Sequence, residues 1–578
     1  MNPRRLLVVL TLSSAMLMAA TGARIGKDVN TTTSVQTNVI VQFTTPPSAA
    51  SVASIGKAGG VLRNLPGVLN AAAATLPGNA IPAFANSSGV AAIALDHNLS
   101  TLAAPASAWI GARPDWGWKT VRSDLAGSVF GFDGRGIAVA VIDSGIDVAD
   151  DLKDANGRSR VVYAESFVPG DSSTGDKFGH GDHVAGIIGG TGKDSTGARY
   201  SYTVRGVAPA VNFVNLRVLD SQGQGSDSAV IAAIGRAIQL RTVYNIRVIN
   251  LSLGRPVADY CANDLLCQAV QTAWQNGIVV VAAAGNDGRD NSFGTGGYAT
   301  INAPGNSPYA ITVGAMNTRA SLTATDDTIA SYSSKGPTLL DHYAKPDLVA
   351  PGNNIYSLRD TGSWLDVNYP GNRVPLSMYA ANSASPVVGP YFVLSGTSMA
   401  TGAVSGAVAL LLEQNPALTP DQVKARLMKT ADKLPAITYT VSDAATGQSY
   451  AEQNDLFTIG AGYLDIPAAL ASRDVVATAA LSPTAVTNFS GQTTLSFPSS
   501  SGAEAWGISP DWASPQVWGR NGIQSDGSLW GSSAVWAAGG FSATSSATSG
   551  SGAIWGTNVL WGSKSRTGSR DIIDGDSN

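Results

Sequence analysis

Three residues, Asp143, His180 and Ser398, each stand beside glycines where a predicted strand ends or a predicted helix begins. Together an aspartate, a histidine and a serine are the components of nucleophilic acyl transfer, because a neutral imidazole accepts the serine proton while the carboxylate fixes the imidazole tautomer and stabilises the imidazolium. Asn286 follows an apolar run, 278–285, and its side-chain amide is a suitable donor to an oxyanion. These four residue types indicate acyl-transfer chemistry, provided that the fold brings them together.

Ser398 lies in the motif GTSMA, residues 396–400, at the start of an Ala/Val/Leu-rich run that continues to residue 412. The composition of this run is typical of a buried helix, so Ser398 is predicted at a helix N-terminus. The unpaired N–H groups and the positive end of the helix dipole there favour a developing anion. Taken alone, a serine in this position is more commonly an N-cap, so its partners must decide between the two roles.

The motif GHGDHVAG, residues 179–186, contains two of the four histidines of the chain. On a helix, His180 and His183 would share a face, so a metal site is an alternative to the acyl-transfer role. The sequence has no HExxH motif and no second histidine pair to complete such a site. Asp143 also has an alternative role, as the cap of the turn that follows its strand.

From about residue 136 the chain alternates short apolar strands with helical patterns. Strands that are apolar on both faces and separated by helices indicate a mainly parallel sheet covered by helices on both sides. An α/β sheet of this type has its active site at the carboxyl ends of the strands. Strands are predicted at 137–142, 211–216, 248–253, 278–284 and 310–313, and helices at 227–240, 264–276 and 419–433.

The first 23 residues have the pattern of a secretory signal peptide, with two arginines, an apolar core and a small-residue exit. A membrane anchor is the alternative, but the apolar core is shorter than the ~20 residues that a span requires. Later apolar stretches are also too short. We therefore expect no membrane span after removal of the signal, and a secreted product in the periplasm, at the cell surface or outside the cell.

A small α/β module is predicted in front of the large sheet. Its strands are predicted at 36–43 and 89–95, and the Ala-rich stretch around 68–74 is predicted to be a helix. A Pro/Ala/Ser-rich connection, residues 98–114, follows the module and is expected to be accessible to cleavage.

Composition limits both the partners and the redox state of the chain. The net charge of −4 and the charged fraction of 13% provide no basic surface for nucleic acid, which argues against that class of partner. The only cysteines, Cys261 and Cys267, are close in sequence, and in an exported chain such a pair is most simply an intramolecular disulfide. Two buried free thiols are the alternative.

Residues 475–578 are rich in Gly, Ser, Ala and Trp and contain seven of the twelve tryptophans, five of them followed by glycine. Trp506, Trp512 and Trp518 are spaced by six residues, which favours a repeat of short strands that stacks its indoles, or a surface- or sugar-binding segment. A largely disordered, removable tail is the alternative.

These motifs together resemble those of the subtilisin-family serine proteases (subtilases, peptidase S8). The resemblance covers about residues 120–472 and includes the Asp, His, Ser order that subtilisin itself shows. It implies a three-layer, subtilisin-like α/β fold preceded by a small α/β pro-segment. It also implies that Asp143 orients the histidine, that His180 is the general base and then acid, that Ser398 is the nucleophile, and that Asn286 and the Ser398 backbone N–H stabilise the oxyanion.

The resemblance also implies where a substrate binds. Segments 223–226 and 251–254 are similar to the two strands with which family members pair the backbone of a substrate, so extended polypeptides are the expected substrates. No organic cofactor is expected. The expected substrate-binding residues are Gly225, Ser252, Leu253, Gly254 and Gly285.

Residues 24–112 resemble the inhibitory pro-segment of the family, which assists folding and is then cut at its C-terminal end by the enzyme itself. The chain's own pro-segment is therefore an expected partner, as an inhibitor. We expect this cut between Asn98 and Asp115, and a catalytic domain at 113–474. The chain is therefore expected to be made as an inactive, autoprocessed precursor, a zymogen.

Calcium is common in the family, and Asp147, the acid just after the catalytic strand, matches a family position for it. The acids at 150–151 are equally well interpreted as solvated surface groups, and the calcium loop of the family is not recognisable in residues 194–205. Asp182 stands where the family usually has threonine. Two positions along the helix from His180, it is expected to point away from the site.

The leading interpretation is thus a secreted serine endopeptidase. An alternative of a different class is a catalytically silent surface or binding protein that uses the Trp-rich tail, and the four filled catalytic positions argue against it. A third interpretation is an esterase with the same triad, but the G-x-S-x-G motif is absent around Ser398.

Overall fold

The computed structural model describes most of the chain between residues 23 and 496 and a short segment near the end of the sequence. Residues 1–22, which hold nearly all of the predicted signal peptide, lie outside the described residues. So do residues 497–574, here called the Trp-Gly segment, which contain the last seven tryptophans. The described residues are 23–102, 104–105, 117–292, 295–322, 324, 326–381, 387–435, 437–443, 446–476, 479–487, 493–496 and 575–576.

The first part of the chain forms its own five-stranded sheet with two short helices, Ala49–Lys57 and Ile81–Ala85. The strands predicted at 36–43 and 89–95 are confirmed. In order across the sheet, the strands are Arg24–Ile25, Val90–Leu95, Gln36–Phe43, Ala71–Pro77 and Val61–Asn64.

The prediction of a helix around 68–74 is wrong, because Ala71–Pro77 is a strand. Alanine favours helices intrinsically, but this strand is paired on both sides, with Gln36–Phe43 and with Val61–Asn64. The four alanines at 71–74 are all buried. Strand pairing and burial therefore outweigh a helix propensity of less than about 1 kcal/mol per residue.

An eight-stranded sheet forms the centre of the larger domain. Its neighbouring strands are parallel except for the short Thr328–Ile329, which runs antiparallel to Ile311–Asn317. The predicted fold class is confirmed, and each of the five predicted strands overlaps an observed strand. Across the sheet the strands are Thr328–Ile329, Ile311–Asn317, Val279–Ala283, Ile246–Leu251, Ala138–Asp143, Asn212–Arg217 and Val161–Ser166, with Leu348–Pro351 also paired to Ile311–Asn317.

Three strands of this sheet, Val161–Ser166, Leu348–Pro351 and the two-residue Thr328–Ile329, were not predicted. The first is an edge strand whose residues are exposed or only partly buried, so it lacks the continuous apolar run of the central strands. The second has only four residues, although all four are buried. Short or half-polar strands give a weak sequence signal.

Helices cover both faces of the sheet, which gives the three layers. Alternate strand residues such as Val139 and Ala140 are buried in two different clusters, one on each face, which explains why the strands are apolar throughout. No helix in the described part of the chain is both long and apolar enough to cross a membrane. The helices are Asp227–Tyr244 and Leu265–Gln275 on one face, and Gly181–Gly189, Thr397–Gln414 and Pro420–Thr430 on the other.

Smaller elements complete the larger domain. Cys261 and Cys267 form a disulfide, as predicted. The short helices are Gly117–Thr120, Ser123–Leu125, Trp364–Asn368, Leu456–Ile459 and Ile466–Ala471. The small antiparallel sheets are Gln224–Ser226 with Asn98–Thr101 and Leu253–Gly254; Ile355–Leu358 with Val388–Ser395, Arg373–Pro375 and Ala104–Pro105; Thr438–Ser442 with Ser449–Gln453; and Thr484–Thr487 with Thr493–Ser496.

Candidate active site

Asp143 and His180 meet at the carboxyl edge of the large sheet. Asp143 is the last residue of its strand, and His180 immediately precedes the helix Gly181–Gly189. Nδ1 of His180 lies 2.7 Å from Oδ1 of Asp143, and both side chains are completely buried. A Cβ at Gly181 would lie 2.1 Å from the carbonyl oxygen of Gly145, so glycine allows the helix start to approach the strand end this closely.

A buried carboxylate that the sequence analysis missed, Asp176, holds the loop that leads to the candidate histidine. Its Oδ1 accepts hydrogen bonds from the Ser144 hydroxyl and the Gly179 N–H, both at 2.7 Å, and its Oδ2 accepts from the Asp182 N–H at 2.8 Å. The Ser144 N–H in turn donates to Oδ1 of Asp143 at 2.7 Å. Burial, reinforced by Asp143, raises the pKa of Asp176 to about 6. The only signal in the sequence was an acid four residues before the histidine.

The contact with Asp143 assigns the tautomer of neutral His180. A carboxylate accepts hydrogen bonds only, so Nδ1 carries the proton and Nε2 carries the lone pair. Nε2 is buried and has no hydrogen-bond partner among the described residues. An available acceptor of this kind is what a general base requires.

His183 does not form a metal site with His180. Its Nε2 lies 3.1 Å from the carbonyl oxygen of Ile355 and 3.2 Å from that of Phe392, so it donates to the backbone. Burial, reinforced by the nearby His180, lowers the pKa of His183 to about 3. Among the described residues, the only group of three or more possible ligands consists of carboxylates. His183 is therefore a neutral structural residue.

Ser398 is the second residue of the helix Thr397–Gln414, and the first turn of this helix is fully buried. The N-cap position is occupied by Gly396, so the N-cap role considered for Ser398 does not apply. Its hydroxyl donates to the carbonyl oxygen of Ser252 at 3.0 Å. Its backbone N–H points to the carbonyl oxygen of Leu102 at 3.5 Å. In this state the structure places no hydrogen bond between the Ser398 hydroxyl and His180.

Asn286 provides a second donor to the same carbonyl group. Its Nδ2 donates to the oxygen of Leu102, and its Oδ1 accepts from both the N–H and the hydroxyl of Thr397, each at 3.0 Å. The two bonds from Thr397 fix the orientation of the amide, because only its oxygen can accept them. The carbonyl oxygen of Leu102 therefore lies against two N–H groups, from Asn286 and from Ser398.

The segment before Leu102 occupies the cleft as an extended strand. Asn98–Thr101 lies between Gln224–Ser226 and Leu253–Gly254, antiparallel to both. The N–H of Leu102 continues this pattern by donating to the carbonyl oxygen of Ser252 at 3.4 Å. The expected substrate-binding segments thus pair with a strand of the chain itself.

The chain continues through the cleft on the far side of Leu102. Ala104–Pro105 pairs antiparallel with Leu394 and Ser395, the residues just before the motif at 396–400. The carbonyl group of Leu102, which meets the two donors, therefore lies between two paired strands of the chain.

Two glycines make room for the apolar side chains of this strand. A Cβ at Gly254 would lie 2.9 Å from Cδ1 of Leu102, and a Cβ at Gly225 would lie 3.2 Å from Cδ1 of Leu99. Both leucines are buried, 8% and 2% exposed. Gly285 has a different environment, because its N–H and carbonyl group bond to the Thr397 hydroxyl and not to the strand.

A cluster of charged groups joins the first sheet to the larger domain around His97. Its Nδ1 lies 3.0 Å from Asp227 and its Nε2 lies 2.6 Å from Asp28, while Arg255 pairs with Asp227 at 2.9 Å. Burial lowers the pKa of His97, but the hydrogen bonds to Asp227 and Asp28 outweigh burial and the nearby Arg255, and raise the pKa to about 9.

Three carboxylates, those of Asp147, Asp182 and Asp360, offer oxygen atoms within 4.8 Å of one another. Oδ1 of Asp182 accepts from the N–H of Asp147 at 2.9 Å, so this side chain is directed into the group. Burial and neighbouring acids raise the pKa of Asp182 well above its ordinary value and that of Asp360 to about 7. The structure therefore brings the candidate calcium residue Asp147 together with two acids that the sequence analysis did not name as ligands.

The fold and this site define an α/β protein with an Asp-His pair, a serine at a helix start and two N–H groups that donate to one carbonyl oxygen. Residues 134–462 match the model of the Subtilase family. The match covers more than half of the chain, which therefore belongs to the subtilase family.

Individual relatives are similar over parts of the chain. Serine protease AprX of Bacillus subtilis (strain 168) is 38% identical over 309 residues, which are 52% of this chain and 62% of AprX. Subtilisin E of the same strain is 34% identical over 406 residues, 69% of this chain and 87% of subtilisin E. The crystal structure of fervidolysin from Fervidobacterium pennivorans, a keratinolytic enzyme related to subtilisin, has the same fold, with a TM-score of 0.56 and 21% identity over 78% of this chain and 63% of that one.

Proposed function

We propose that the protein is a secreted serine endopeptidase that cuts peptide bonds with Ser398 as nucleophile, His180 as general base and acid, and Asp143 as the group that orients the histidine. The observation that carries the proposal is the position of the Leu102 carbonyl group, against the N–H donors of Asn286 and Ser398. A peptide carbonyl at such a site is where an acyl-transfer enzyme needs its substrate.

The proposed reaction uses the residues in a fixed order. The Ser398 hydroxyl leaves Ser252 and gives its proton to Nε2 of His180 while its oxygen attacks the carbonyl carbon. Asn286 and the Ser398 N–H hold the oxyanion, and Asp143 stabilises the imidazolium. The imidazolium then protonates the leaving amine, and a water molecule activated by the same histidine releases the acyl group.

We further propose that the precursor cuts itself between Leu102 and Ala103. This bond lies within the range 98–115 expected from the sequence and follows the carbonyl group at the two donors. Residues 24–102 would then remain as an inhibitory pro-segment, held by strand pairing in the cleft. The leader pattern and the disulfide support an exported product.

Labelling with a serine-directed covalent inhibitor tests the proposed function. The mature protein should carry one label, on the peptide that contains Ser398, and should begin at Ala103 by N-terminal sequencing. A chain that neither matures nor takes up the label would contradict the endopeptidase and favour a catalytically silent binding protein.

The pocket for the first residue before the cut should select apolar side chains. In Leu102→Asp a carboxylate replaces a buried leucine. Burying a carboxylate without a charged partner is costly, so self-cleavage should slow by at least about 100-fold. Leu102→Met should cut at a rate close to that of the original chain. The measurement is the rate at which the precursor band disappears.

Ser100→Asp provides the matched control for this prediction. It places the same acid two residues away, at a half-buried position of the same strand. We expect a change of only a few-fold in the cleavage rate. If Leu102→Asp and Ser100→Asp slowed cleavage equally, the slowing could not be assigned to the pocket around Gly254.

We propose that Asp147, Asp182 and Asp360 hold a calcium ion. Carboxylate oxygens are the ligands that calcium prefers, and a cation would relieve the repulsion that raises the pKa values of Asp182 and Asp360. The ion would stabilise the loops beside the helix Gly181–Gly189, and no step of the reaction passes through it.

Calcium removal should lower the melting temperature of the protein by roughly 5–10 °C, because an ion that binds only the folded state stabilises it. Asp147→Asn should abolish this calcium dependence. The control is Asp150→Asn, since Asp150 is half exposed and pairs with Lys153 and Lys193. A calcium dependence that is unchanged in Asp147→Asn would exclude the site.

Retention of the cleaved pro-segment should depend on pH through His97. Its pKa is about 9 in the complex and 6.5 ordinarily. Because the bound form holds the proton more tightly, protonation favours binding fully below about pH 6.5, and this contribution is lost as the pH rises through about 9. Binding should weaken over this range by at most roughly 100-fold, because Asp28 belongs to the pro-segment itself and only the bond to Asp227 is lost on dissociation. The measurement is chromatography of the inhibited complex at a series of pH values. His97→Gln should flatten the profile, and an unchanged profile in this variant would contradict the role of His97.

A further inference from the structure

Two residues near the end of the sequence, Gly575 and Asp576, are buried in the larger domain. Asp576 is completely buried. Its partners Asn353 and Arg289 are 223 and 287 residues away in sequence. Nothing in the proposed reaction requires this contact, so it needs an explanation of its own.

The carboxylate of Asp576 fills a site that supplies three donors. Its Oδ2 accepts from the backbone N–H of Ser331 at 2.6 Å, and its Oδ1 accepts from the Ser331 hydroxyl at 2.5 Å and from Nη2 of Arg289 at 2.9 Å. Burying a carboxylate is costly unless it is paired and hydrogen-bonded, and here both conditions are met. The guanidinium of Arg289 also bonds Asp443 at 2.9 Å, which orients it toward the site.

The backbone of Asp576 bonds one side-chain amide and also lies opposite Asp443 in an isolated antiparallel bridge. Its N–H donates to Oδ1 of Asn353 at 2.9 Å, and its carbonyl oxygen accepts from Nδ2 of Asn353 at 3.1 Å. An asparagine amide that bonds both groups of one residue replaces the two hydrogen bonds of a neighbouring strand. The site therefore binds both the backbone and the side-chain carboxylate of Asp576.

The residue before Asp576 must be glycine for this fit. A Cβ on Gly575 would lie 2.6 Å from Oγ of Ser395, 2.8 Å from Oδ1 of Asn353 and 2.9 Å from Oδ1 of Asn354. A Cβ carbon does not approach oxygen atoms this closely unless the neighbouring side chains shift. The site is therefore shaped for the sequence Gly-Asp.

The site borders the candidate active site. Ser395, whose hydroxyl a Cβ on Gly575 would meet, pairs through its backbone with Ala104 on the far side of the proposed cut and lies three residues before Ser398. Arg289 lies three residues after Asn286. Binding of Gly575–Asp576 therefore contacts the two segments that carry the proposed oxyanion donors, one with Asn286 and one with Ser398.

We propose that the larger domain carries a Gly-Asp recognition site, formed by Arg289, Ser331, Asn353 and Ser395, whose ligand is the segment Gly575–Asp576 of the same chain. The hairpin Thr484–Thr487 and Thr493–Ser496 is attached to the domain through the pairing of Tyr343 with Thr484. The Trp-Gly segment between the hairpin and Gly575 is therefore joined at both ends to the domain that carries the active site.

Amide hydrogen exchange in the full-length Ser398→Ala chain tests the site without any need for catalysis, so failure of the proposed function would leave the test valid. The Ser331 N–H is bonded directly to Asp576. Its exchange should accelerate at least about tenfold in Asp576→Ala and in Gly575→Ala. Amides of the central strand Ile246–Leu251 should keep their protection, which shows that the variants are folded.

Asp574→Ala is the matched control, since it removes the same charge two residues upstream. It should leave the exchange of Ser331 unchanged. Exchange within about threefold of the parent in both Asp576→Ala and Gly575→Ala would overturn the proposal. Equal acceleration in Asp574→Ala would also overturn it, because the effect would then be one of net charge and not of a site.

A double-variant cycle gives a second, independent readout. If Arg289 and Asp576 interact in the site, Arg289→Gln combined with Asp576→Asn should lower the melting temperature by less than the sum of the two single losses. Strictly additive losses would show that the two side chains do not interact and would contradict the proposal.

Discussion

Ser398→Ala should yield a full-length precursor in which the bond between Leu102 and Ala103 stays intact, with no detectable self-cleavage. Among the described residues, Ser398 is the only serine or threonine whose backbone N–H bonds the carbonyl group of Leu102. Without its oxygen no acyl-enzyme forms, and loss of a triad nucleophile costs roughly 10⁶-fold in rate for subtilisin, a value that we carry over to this chain. The measurement is the mass of the purified protein and its N-terminal sequence after prolonged incubation.

Ser405→Ala is the matched control for this variant. Ser405 is buried on the same helix, and its hydroxyl donates to Oδ1 of Asn250 at 2.8 Å, so the substitution removes the same atom from a structural contact. It should cost about 1 kcal/mol of stability and leave self-cleavage in place. An Ala103 N-terminus in Ser398→Ala, produced without added protease, would show that another group carries the nucleophile.

Asn286→Leu should lower kcat by roughly 10²–10³-fold and leave KM within a few-fold, since the amide stabilises charge that develops only in the transition state. The magnitude is that known for the oxyanion asparagine of subtilisin and is carried over to this chain. Leucine keeps the volume of the side chain and removes both its donor and its acceptor. The measurement is steady-state hydrolysis of an extended peptide with apolar residues first and fourth before the cut.

Asn286→Asp tests the N–H donor separately, because it removes the donor and keeps the shape of the side chain. The aspartate keeps the oxygen that accepts from the Thr397 N–H and hydroxyl, which now bond Asn286 at 3.0 Å. It should be at least as impaired as Asn286→Leu, because a negative charge beside the oxyanion is repulsive. A kcat reduced less than threefold in Asn286→Leu would assign the oxyanion to other donors.

The sequence contained a strong signal for the residues of the candidate site. Asp143, His180, Asn286 and Ser398 each stand in a short segment with glycine beside it, and their order along the chain is that of subtilisin. The glycines are local features, needed where a helix start meets a strand end, as at Gly181. The parallel sheet could also be predicted, because strands buried on both faces are continuously apolar.

Other features could not be predicted because they depend on contacts distant in sequence. Ala71–Pro77 is a strand only because two neighbouring strands pair with it, whereas its composition favours a helix. Asp176 looks like any loop acid until folding buries it against Ser144 and the helix Gly181–Gly189. The group formed by Asp147, Asp182 and Asp360 is likewise assembled from three separate segments.

The sequence by itself determined the resemblance to subtilisin-type acyl-transfer chemistry, since the types and order of the four candidate residues are features of short local motifs. Only the tertiary structure decided which carbonyl group of the chain lies at the candidate oxyanion donors and where Gly575–Asp576 binds. Both results depend on hydrogen bonds between segments more than a hundred residues apart, such as Asn286 with Leu102 and Asp576 with Asn353. Such contacts leave no periodic pattern in the sequence, because their partners become neighbours only when the chain has folded.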